Sequence, residues 1–277
     1  MAQVISREFI DGDIRDMEVC INAAAGVDVV FHQAALGSVP RSIADPVTTT
    51  DVNIGGFVKM LYASKLAGVK RFIYAASSST YGDLEGLPKV EDKIGKPLSP
   101  YAVTKYADEL FASNFASVYN MEIIGLRYFN VFGRRQDPDG PYAAVIPKFI
   151  RMLKNHQAPV INGDGTNSRD FTYIDNVIQA NQLAAVVTDK EALNQIYNVA
   201  HGERTSLNNL FLMLRKLSAG YDINVEKIES VHGPNRDGDI PHSQASIEKA
   251  KRLLGYSPVH NVNSGLKEAV AWFWDNL

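Results

Sequence analysis

Cysteine is nearly absent from the sequence: Cys20 is the only one among 277 residues, so the chain cannot form an internal disulfide bond. Long apolar runs are absent as well, because residues 27–36 are interrupted by His32 and Gln33 and a membrane-spanning helix needs roughly 20 apolar residues. The first residues contain no apolar segment of the kind found in signal peptides. These absences predict a cytoplasmic protein with no membrane partner.

An excess of charge of one sign is also missing. The 28 lysines and arginines nearly balance the 31 aspartates and glutamates, and the net charge of −3 argues against a nucleic-acid partner. The six histidines, from His32 to His260, show no metal-ligand spacing, so we expect no metal site. With 45% hydrophobic and 21% charged residues, the composition is that of a globular protein with one large or two modest domains.

Short apolar runs alternate with helical patterns through the first half of the chain. The pattern predicts strands at residues 28–35, 71–76 and 123–128, and helices at residues 53–67 and 101–119. This alternation is typical of an α/β fold with a doubly wound parallel sheet, in which ligands bind at the carboxyl ends of the strands. After Gly133 the sequence becomes rich in turns, which indicates a second, smaller lobe.

The most informative local pattern is Tyr101 and Lys105, four residues apart at the start of a predicted helix. Ser99 suits the N-cap of that helix and Pro100 suits its first turn. The spacing places both side chains on one helix face, so the ammonium group of Lys105 can favour the ionised phenol of Tyr101. An ionised tyrosine is a general base for an alcohol. Such a pair also occurs by chance on many helices, so the spacing alone leaves both interpretations open.

Three segments, in their order and spacing, resemble the extended short-chain dehydrogenase/reductases that act on nucleotide sugars. They are AASSSTYG at residues 75–82, YAVTK at residues 101–105 and LRYFNVFG at residues 126–133. Residues 35–42, 134–138, 168–171 and 242–245 are similar to bacterial UDP-N-acetylglucosamine 4-epimerases of surface-polysaccharide synthesis, such as that of the lipopolysaccharide O-antigen. The agreement of several separate segments is more specific than any one motif.

The resemblance implies a Rossmann-like, NAD-binding domain in residues 1–135 and a smaller UDP-sugar-binding lobe in residues 136–277, parts of which return to the first domain. The family's first strand, its Gly-x-x-Gly-x-x-Gly turn, the following helix and the second strand have no counterpart in the sequence. Residues 8–16 (EFIDGDIRD) resemble the family's third strand instead. We therefore expect a truncated domain that lacks roughly 50 residues, about one strand–helix–strand unit.

The missing unit has consequences for the cofactor and for stability. The backbone amides and helix N-terminus that receive the cofactor's pyrophosphate in the family belong to that unit. Its loss would also leave an unpaired sheet edge and exposed apolar surface, which predicts instability or aggregation. A fragment, a misassigned start and a paralogue that has lost the unit all remain open as explanations.

The resemblance also implies a mechanism. Tyr101, with its pKa lowered by Lys105 and by the positive nicotinamide, removes the proton from the sugar O4 while the C4 hydride passes to NAD. The resulting 4-keto sugar turns within the pocket and takes the hydride back on its other face, which regenerates NAD. Ser77 is the favoured contact of the O4 region, with Ser78 and Ser79 as further contacts.

The same resemblance implies two sets of ligands. The expected cofactor ligands are Asp13, Ile14, Gln33, Ala34, Ala35, Asn53, Tyr101, Lys105, Tyr128, Asn130 and Val131. The expected substrate ligands are Gly37, Ser38, Ser78, Asn130, Gln136, Val145, Arg169, Arg204, Arg236, His242 and Ser243. Of these, Arg169 and Arg236 would clamp the pyrophosphate, a role that suits planar guanidinium groups. The alternative for both is a solvated surface arginine.

Ser243 bears on which UDP-sugar is used. The position it matches is bulky in enzymes restricted to UDP-glucose and small in those that accept an N-acetyl group. A serine therefore favours the conversion of UDP-N-acetylglucosamine to UDP-N-acetylgalactosamine. UDP-glucuronate or UDP-glucose 4-epimerisation and a non-catalytic nucleotide-sugar binder remain alternatives. A 4,6-dehydratase is disfavoured, because Ser78 and Ser79 stand where it would carry an acidic pair.

Two helices are expected to form a homodimer interface. Family members commonly form homodimers through the helices that flank the serine strand, here at residues 53–67 and 101–119. Candidate contacts in such a four-helix interface are Leu61, Leu66, Phe111 and Phe115, unless these side chains face the sheet instead.

Near the C-terminus, Ser246 replaces an aspartate that is usual in the family, and either residue can cap a helix at residues 247–254.

Overall fold

A four-stranded parallel sheet organises the protein, for which a computed structural model describes residues 8–139, 144–234 and 240–277. The helices are α1 Met17–Ala24, α2 Val39–Ala44, α3 Pro46–Thr50, α4 Phe57–Leu66, α5 Pro100–Tyr119, α6 Val145–Lys154, α7 Ile174–Val186, α8 Leu207–Ala219, α9 Glu248–Leu254 and α10 Val262–Asn276. The strands are β1 Val29–His32, β2 Arg71–Ser77, β3 Glu122–Tyr128, β4 Val131–Phe132, β5 Val160–Asn162, β6 Ser168–Arg169, β7 Thr172–Tyr173, β8 Ile196–Val199, β9 Thr205–Ser206 and β10 Val231–Gly233. A π-helical turn lies at Asp51–Gly56, and 3₁₀ turns lie at Ser78–Tyr81, Lys190–Ala192 and Ile223–Lys227.

The strand order in the main sheet is β1-β2-β3-β8, and all three pairings are parallel. Helices α1, α4 and α5 cover one face, and α7 and α9 cover the other. This layered arrangement confirms the predicted α/β fold with a parallel sheet. The strands predicted at residues 71–76 and 123–128 are confirmed as β2 and β3, whereas β1 is shorter than the predicted segment at residues 28–35.

Helix α5 begins as the sequence predicts. The Ser99 hydroxyl accepts a hydrogen bond from the backbone N–H of Ala102 at 3.1 Å, and Pro100 occupies the first turn. The helix ends at Asn120, whose φ of 55° is in the left-handed region that asparagine tolerates at helix ends. Tyr101 is therefore fixed in the first turn, next to the carboxyl end of β2.

The N-terminal segment differs from the prediction. Residues 8–12 form no strand, and the Phe9 side chain is 90% exposed. Within the described ranges β1 pairs only with β2, so it is an edge strand whose other side has no neighbour. A strand needs a paired neighbour to satisfy its backbone groups, and residues 8–12 have none. The predicted unpaired edge with exposed apolar surface is thus present, and Phe31 in β1 is 47% exposed.

Three helix predictions need correction. The helix expected at residues 53–67 is a π-helical turn followed by α4. Leu61 and Phe115 are buried in the core between α4, α5 and the sheet, so only Leu66 and Phe111 of the proposed interface residues are exposed. Helix α9 begins at Glu248, with Ile247 as an N-cap that supplies no side-chain hydrogen bond. Ser246 instead donates its backbone N–H to the Lys89 carbonyl oxygen.

A second hydrophobic core lies in the C-terminal half of the chain. Helices α6, α8 and α10 pack together around Phe149, Leu214 and Phe273, and every member of this core belongs to residues 132–273. Strand β8 and helices α7 and α9, from the same half, pack in and against the main sheet. These placements support the proposed division near residue 135, with later segments that return to the first domain.

Candidate active site

The serine run lies where β2 leaves the sheet. Ser77 is the last residue of β2, and its Oγ accepts hydrogen bonds from the backbone N–H of Ser79 at 3.2 Å and from the Ser79 hydroxyl at 2.9 Å. Ser78 and Ser79 are half-buried in the 3₁₀ turn next along the chain. The turn packs against α5, so the hydroxyl groups and the first turn of the tyrosine helix occupy the same end of the sheet.

Lys105 is buried beneath this end of the sheet and has partners that its spacing from Tyr101 did not predict. Its Nζ donates to the Ala75 carbonyl oxygen at 2.9 Å and contacts Asp108 Oδ2 at 3.3 Å. Burial raises the pKa of Asp108 to about 7, against the opposing effect of Lys105. Asp108 Oδ1 has no hydrogen-bond partner among the described residues. The Lys105 charge is therefore held by a buried carboxylate three residues further along the helix.

His32, the last residue of β1, is buried close enough to Lys105 to feel its charge. Its ring stacks on Phe72 with centroids 5.8 Å apart and meets the edge of Phe57 at 5.3 Å. Burial, with a further effect from the positive Lys105, lowers the pKa of His32 to about 4. This imidazole is therefore neutral at physiological pH.

Asn53 joins the loop after β1 to the tyrosine helix. Its Oδ1 accepts from the Leu36 backbone N–H at 2.8 Å, while its Nδ2 donates to the Leu36 carbonyl at 3.3 Å and to the Thr104 hydroxyl at 3.0 Å. The side chain is 1% exposed. It thereby fixes the loop that contains Ala34 and Ala35, two further expected cofactor ligands.

Gln33 and Tyr128 are brought together at the ends of β1 and β3. The Tyr128 hydroxyl donates to Gln33 Oε1 at 3.1 Å and accepts from Asn181 Nδ2 at 2.9 Å. Asn181 lies on α7, and no pattern in the sequence connects it to this site. Burial raises the pKa of Tyr128, so it remains a neutral hydrogen-bonding group. Asn130, two residues beyond β3, has a φ of 35° and donates its Nδ2 to the Asp170 carbonyl at 3.1 Å.

Asp13 and Ile14 lie apart from the serine run, beside the π-helical turn. Both carboxylate oxygens of Asp13 bind the Arg15 guanidinium, at 2.6 and 3.0 Å for Oδ2, and this contact lowers the Asp13 pKa to about 2. Ile14 packs on Gly56, where a Cβ atom would come within 2.5 Å of it. The segment is therefore anchored to the sheet layer although it forms no strand.

A cavity of about 450 Å³ opens between the two halves of the chain. Six of the expected substrate ligands line it, namely Gly37, Ser38, Asn130, Gln136, Val145 and Arg169. The cavity also has an apolar wall formed by Phe149, Phe171 and Leu207; of these, only Phe171 lies in a motif recognised in the sequence. Gln136 Oε1 is buried there without a hydrogen-bond partner among the described residues, which leaves an acceptor available to a ligand.

The other expected substrate ligands lie at the edges of the cavity or apart from it. Ser78 lies in the serine turn, and Arg204 precedes β9, which pairs with β6 through Thr205 and Arg169. His242 and Ser243 lie beside Ser168: the Ser168 hydroxyl and His242 Nδ1 are 2.9 Å apart, and the Ser243 backbone N–H donates to the Ser168 carbonyl at 3.0 Å. Arg236 lies outside the described residues.

The comparisons decide which family this arrangement belongs to. A family model described as the NAD dependent epimerase/dehydratase family matches residues 2–200, a range that includes the serine run, Tyr101 and Lys105. The chain belongs to this family. A putative UDP-glucose 4-epimerase of Methanocaldococcus jannaschii is 36% identical over 273 residues, which cover 97% of this chain and 85% of that relative.

Solved structures agree with the family assignment. A UDP-N-acetylglucosamine 4-epimerase from Methanobrevibacter ruminantium, in complex with UDP-N-acetylmuramic acid, superposes with a TM-score of 0.90 at 37% identity, over 97% of this chain and 83% of that one. A UDP-glucose 4-epimerase from Thermotoga maritima, with UDP-glucose, gives 0.89 at 35% identity, over 96% and 84%. These findings confirm the predicted resemblance, the NAD-dependent epimerase class and NAD as the family's cofactor.

Several expected cofactor ligands lie at or near the carboxyl ends of the strands. Lys105, Tyr128 and Asn130 supply a buried cation and polar groups at the carboxyl ends of parallel strands, where dinucleotides bind in Rossmann-like folds. In the described part of the chain, no glycine-rich turn and helix N-terminus adjoin β1 to receive the pyrophosphate. A site for the nicotinamide half of NAD at Lys105, Tyr128 and Asn130 stays a prediction. Across the same part of the chain, no helix combines the length and apolarity required to cross a bilayer.

Proposed function

We propose that this epimerase-family chain converts UDP-N-acetylglucosamine to UDP-N-acetylgalactosamine by epimerisation at C4. The observation that carries the proposal is the cavity lined by Asn130, Gln136 and Arg169. Asn130 follows β3, the strand that pairs with the serine strand β2. The cavity's volume and its mixture of apolar wall and few polar groups suit a nucleotide sugar. The preference for an N-acetylated sugar rests on the small Ser243, whose backbone N–H donates to the carbonyl of Ser168, the residue before Arg169.

Tyr101 acts as the general base in the proposed reaction. It lies in the first turn of α5, which packs against the serine turn at the end of β2, and the buried Lys105 lies one turn further along the same helix. When bound, NAD would supply the hydride acceptor and donor for C4. The linked hydroxyl groups of Ser77 and Ser79 hold the O4 region while Tyr101 removes and restores the O4 proton.

Anchoring depends on the nucleotide part of the substrate, because the sugar must turn over between the two proton transfers. Arg169 supplies a guanidinium group for the pyrophosphate, and Gln136 and Asn130 supply amide groups beside it. The Arg169 guanidinium is oriented by hydrogen bonds from Nη1 to the Ser168 carbonyl at 2.9 Å and to the Pro241 carbonyl at 3.2 Å. Arg204 and Arg236 are further proposed anchors.

The substrate is tested by direct comparison of three UDP-sugars. The chain is incubated with NAD and UDP-N-acetylglucosamine, UDP-glucose or UDP-glucuronate, and the products are separated by chromatography. We expect UDP-N-acetylgalactosamine as the main product. The variant Ser243→Tyr should lose this product and retain turnover of UDP-glucose, because the larger ring fills the acetamido volume. Preferred turnover of UDP-glucuronate, or unchanged turnover of both substrates by Ser243→Tyr, would contradict the proposal. UDP-sugar binding without any turnover would favour a non-catalytic binder.

A further inference from the structure

One buried carboxylate joins three separate segments of the second lobe. Asp170 comes directly after β6 and is fully buried, and its side chain accepts hydrogen bonds from the backbone N–H groups of His201 at 3.1 Å, Gly202 at 3.1 Å and Ala245 at 3.2 Å. No cation pairs with this carboxylate in the part of the chain that the structure describes. Burial raises the pKa of Asp170 to about 7, although the three amides act in the opposite direction.

Each of these segments carries a proposed substrate ligand close to its contact with Asp170. Arg169 directly precedes Asp170, Arg204 lies two residues after Gly202, and Ser243 lies two residues before Ala245. A fourth ligand is tied to the main chain of the same residue, because Asn130 Nδ2 donates to the Asp170 carbonyl at 3.1 Å. The ligands come from parts of the sequence far apart, and Asp170 is where their backbones meet.

Other hydrogen bonds connect the same segments in pairs. Gln244 Nε2 donates to the Gly202 carbonyl at 2.8 Å, and the Ser243 N–H donates to the Ser168 carbonyl at 3.0 Å. The Asp170 side chain accepts hydrogen bonds from both the turn at residues 201–202 and residue 245. A carboxylate suits this position because it offers two acceptor oxygens and no donor, whereas an asparagine would turn an NH₂ group toward backbone donors.

We propose that Asp170 is a positioning residue for UDP-sugar binding, which holds Arg169, Arg204, Ser243 and Asn130 in one arrangement before the substrate arrives. The proposal rests on the proposed function, since the ligand class is the UDP-sugar itself. Asp170 does not touch the substrate and lies outside the cavity lining. Because Asp170 holds these segments in place beforehand, substrate binding does not bear the entropy cost of ordering them, and the affinity for the UDP-sugar is higher.

The test compares Asp170→Asn with a matched control. Asn176 is also fully buried, and its Oδ1 accepts from the backbone N–H groups of Val259 at 2.9 Å and His260 at 3.1 Å, while its Nδ2 donates to the His260 carbonyl at 2.7 Å. None of these partners is a proposed ligand. Asn176→Asp, like Asp170→Asn, exchanges an acceptor and a donor in a buried network, so both variants are expected to lower the melting temperature.

Calorimetric titration with UDP-N-acetylglucosamine, well below the melting temperature of each variant, separates positioning from stability. We expect Asp170→Asn to raise the dissociation constant by about tenfold or more, with KM raised more than kcat is lowered, since charged hydrogen bonds to the three amides are lost. Asn176→Asp should bind as the wild type does. Equal affinity of Asp170→Asn and the wild type, or an equal loss in both variants, overturns the proposal. If the wild type itself fails to bind, the proposed function falls and the positioning role with it.

Hydrogen exchange tests the arrangement without a variant or a ligand, which covers the case that Asp170→Asn fails to fold. The amides of His201, Gly202 and Ala245 should exchange slowly in the free wild-type protein, because each donates to a buried acceptor. Exchange at the rate of an unstructured peptide would show that the segments are not held before binding, and the proposal would be overturned.

Discussion

At the scale of single residues, Tyr101 carries the proposed chemistry and gives the most direct test of it. Tyr101→Phe removes the phenolic oxygen and keeps the ring, so we expect turnover to fall by about 10²- to 10⁴-fold with little change in UDP-sugar affinity. Tyr106→Phe, one residue beyond Lys105 on the same helix, is the control and should keep wild-type turnover. Steady-state kinetics and calorimetric titration give the two quantities, and full activity of Tyr101→Phe would exclude Tyr101 as the base.

His32 predicts how stability depends on pH. Its pKa of about 4 lies below the ordinary value of 6.5, so the unfolded chain binds a proton between these pH values and the folded protein does not. This group therefore lowers the free energy of unfolding as pH falls, by about 2 kcal/mol between pH 7 and pH 5. His32→Phe, whose ring can keep the contacts with Phe57 and Phe72, should lose that part of the pH dependence. Urea unfolding at both pH values measures it, and an identical pH dependence in both proteins would contradict the assignment.

The residues proposed to react were easier to recognise in the sequence than the residues that contact them. Tyr101, Lys105 and the serines were recognisable because their types and spacing are tied to a reaction. Asp108 stands three residues after Lys105, a spacing that indicates contact, but its burial depends on how α5 packs on the sheet. Asp170 lies within a recognised motif, yet its three amide donors come from residues 201, 202 and 245 and no local pattern reveals them.

At the scale of helices and strands, the hydrophobic periodicity predicted where elements lie along the chain but not which face of each helix is buried. β2, β3 and α5 match the predicted limits because their apolar runs and the Ser99 cap are local features. The sequence left open whether Leu61 and Phe115 lie on an exposed helix face or face the sheet, and the structure buries both in the core. Both α4 and α5 carry apolar residues on more than one side, so the 3.6-residue period alone does not tell which side meets the sheet.

The exposed face of α5 supports the predicted homodimer, which we retain as a proposal. Phe111 and Val118 lie seven residues apart on one face and are 38% and 62% exposed, with Leu66 of α4 also exposed at 51%. We expect a concentration-dependent dimer in sedimentation velocity, and its dissociation by the double variant Phe111→Glu/Val118→Glu, since a four-helix contact would bury these charges. Val186→Glu, at an exposed apolar residue of α7, is the control. A monomeric wild type, or a double variant that remains dimeric, would contradict the proposal.

At the scale of the whole molecule, the main sheet has an open edge at β1 within the described residues. Since residues 8–16 resemble the family's third strand, β1 takes the place of the fourth, which lies between the first and the fifth in the Rossmann strand order 3-2-1-4-5-6. Here β1 has β2 on one side and no strand on the other within the described ranges. Residues 8–12 resemble part of a strand of the family. They form no regular structure here, and within the described ranges no neighbouring strand pairs with them.

An edge with free backbone groups and exposed apolar side chains favours association between copies of the chain. We therefore expect concentration-dependent aggregation of the 277-residue chain and an unfolding transition less cooperative than that of its longer relatives. Phe31→Lys places a charge at the edge, where lysine is a common natural block to strand pairing, and should reduce aggregation measured by light scattering.

The control separates edge pairing from general surface hydrophobicity. Ile178 on α7 is 46% exposed, nearly the same as the 47% of Phe31, and it lies away from the strand edge. Ile178→Lys should leave aggregation almost unchanged if β1 is the route of association. Equal protection by both substitutions would mean that apolar area alone drives association. No protection by Phe31→Lys would mean that the edge of β1 is not where the copies meet.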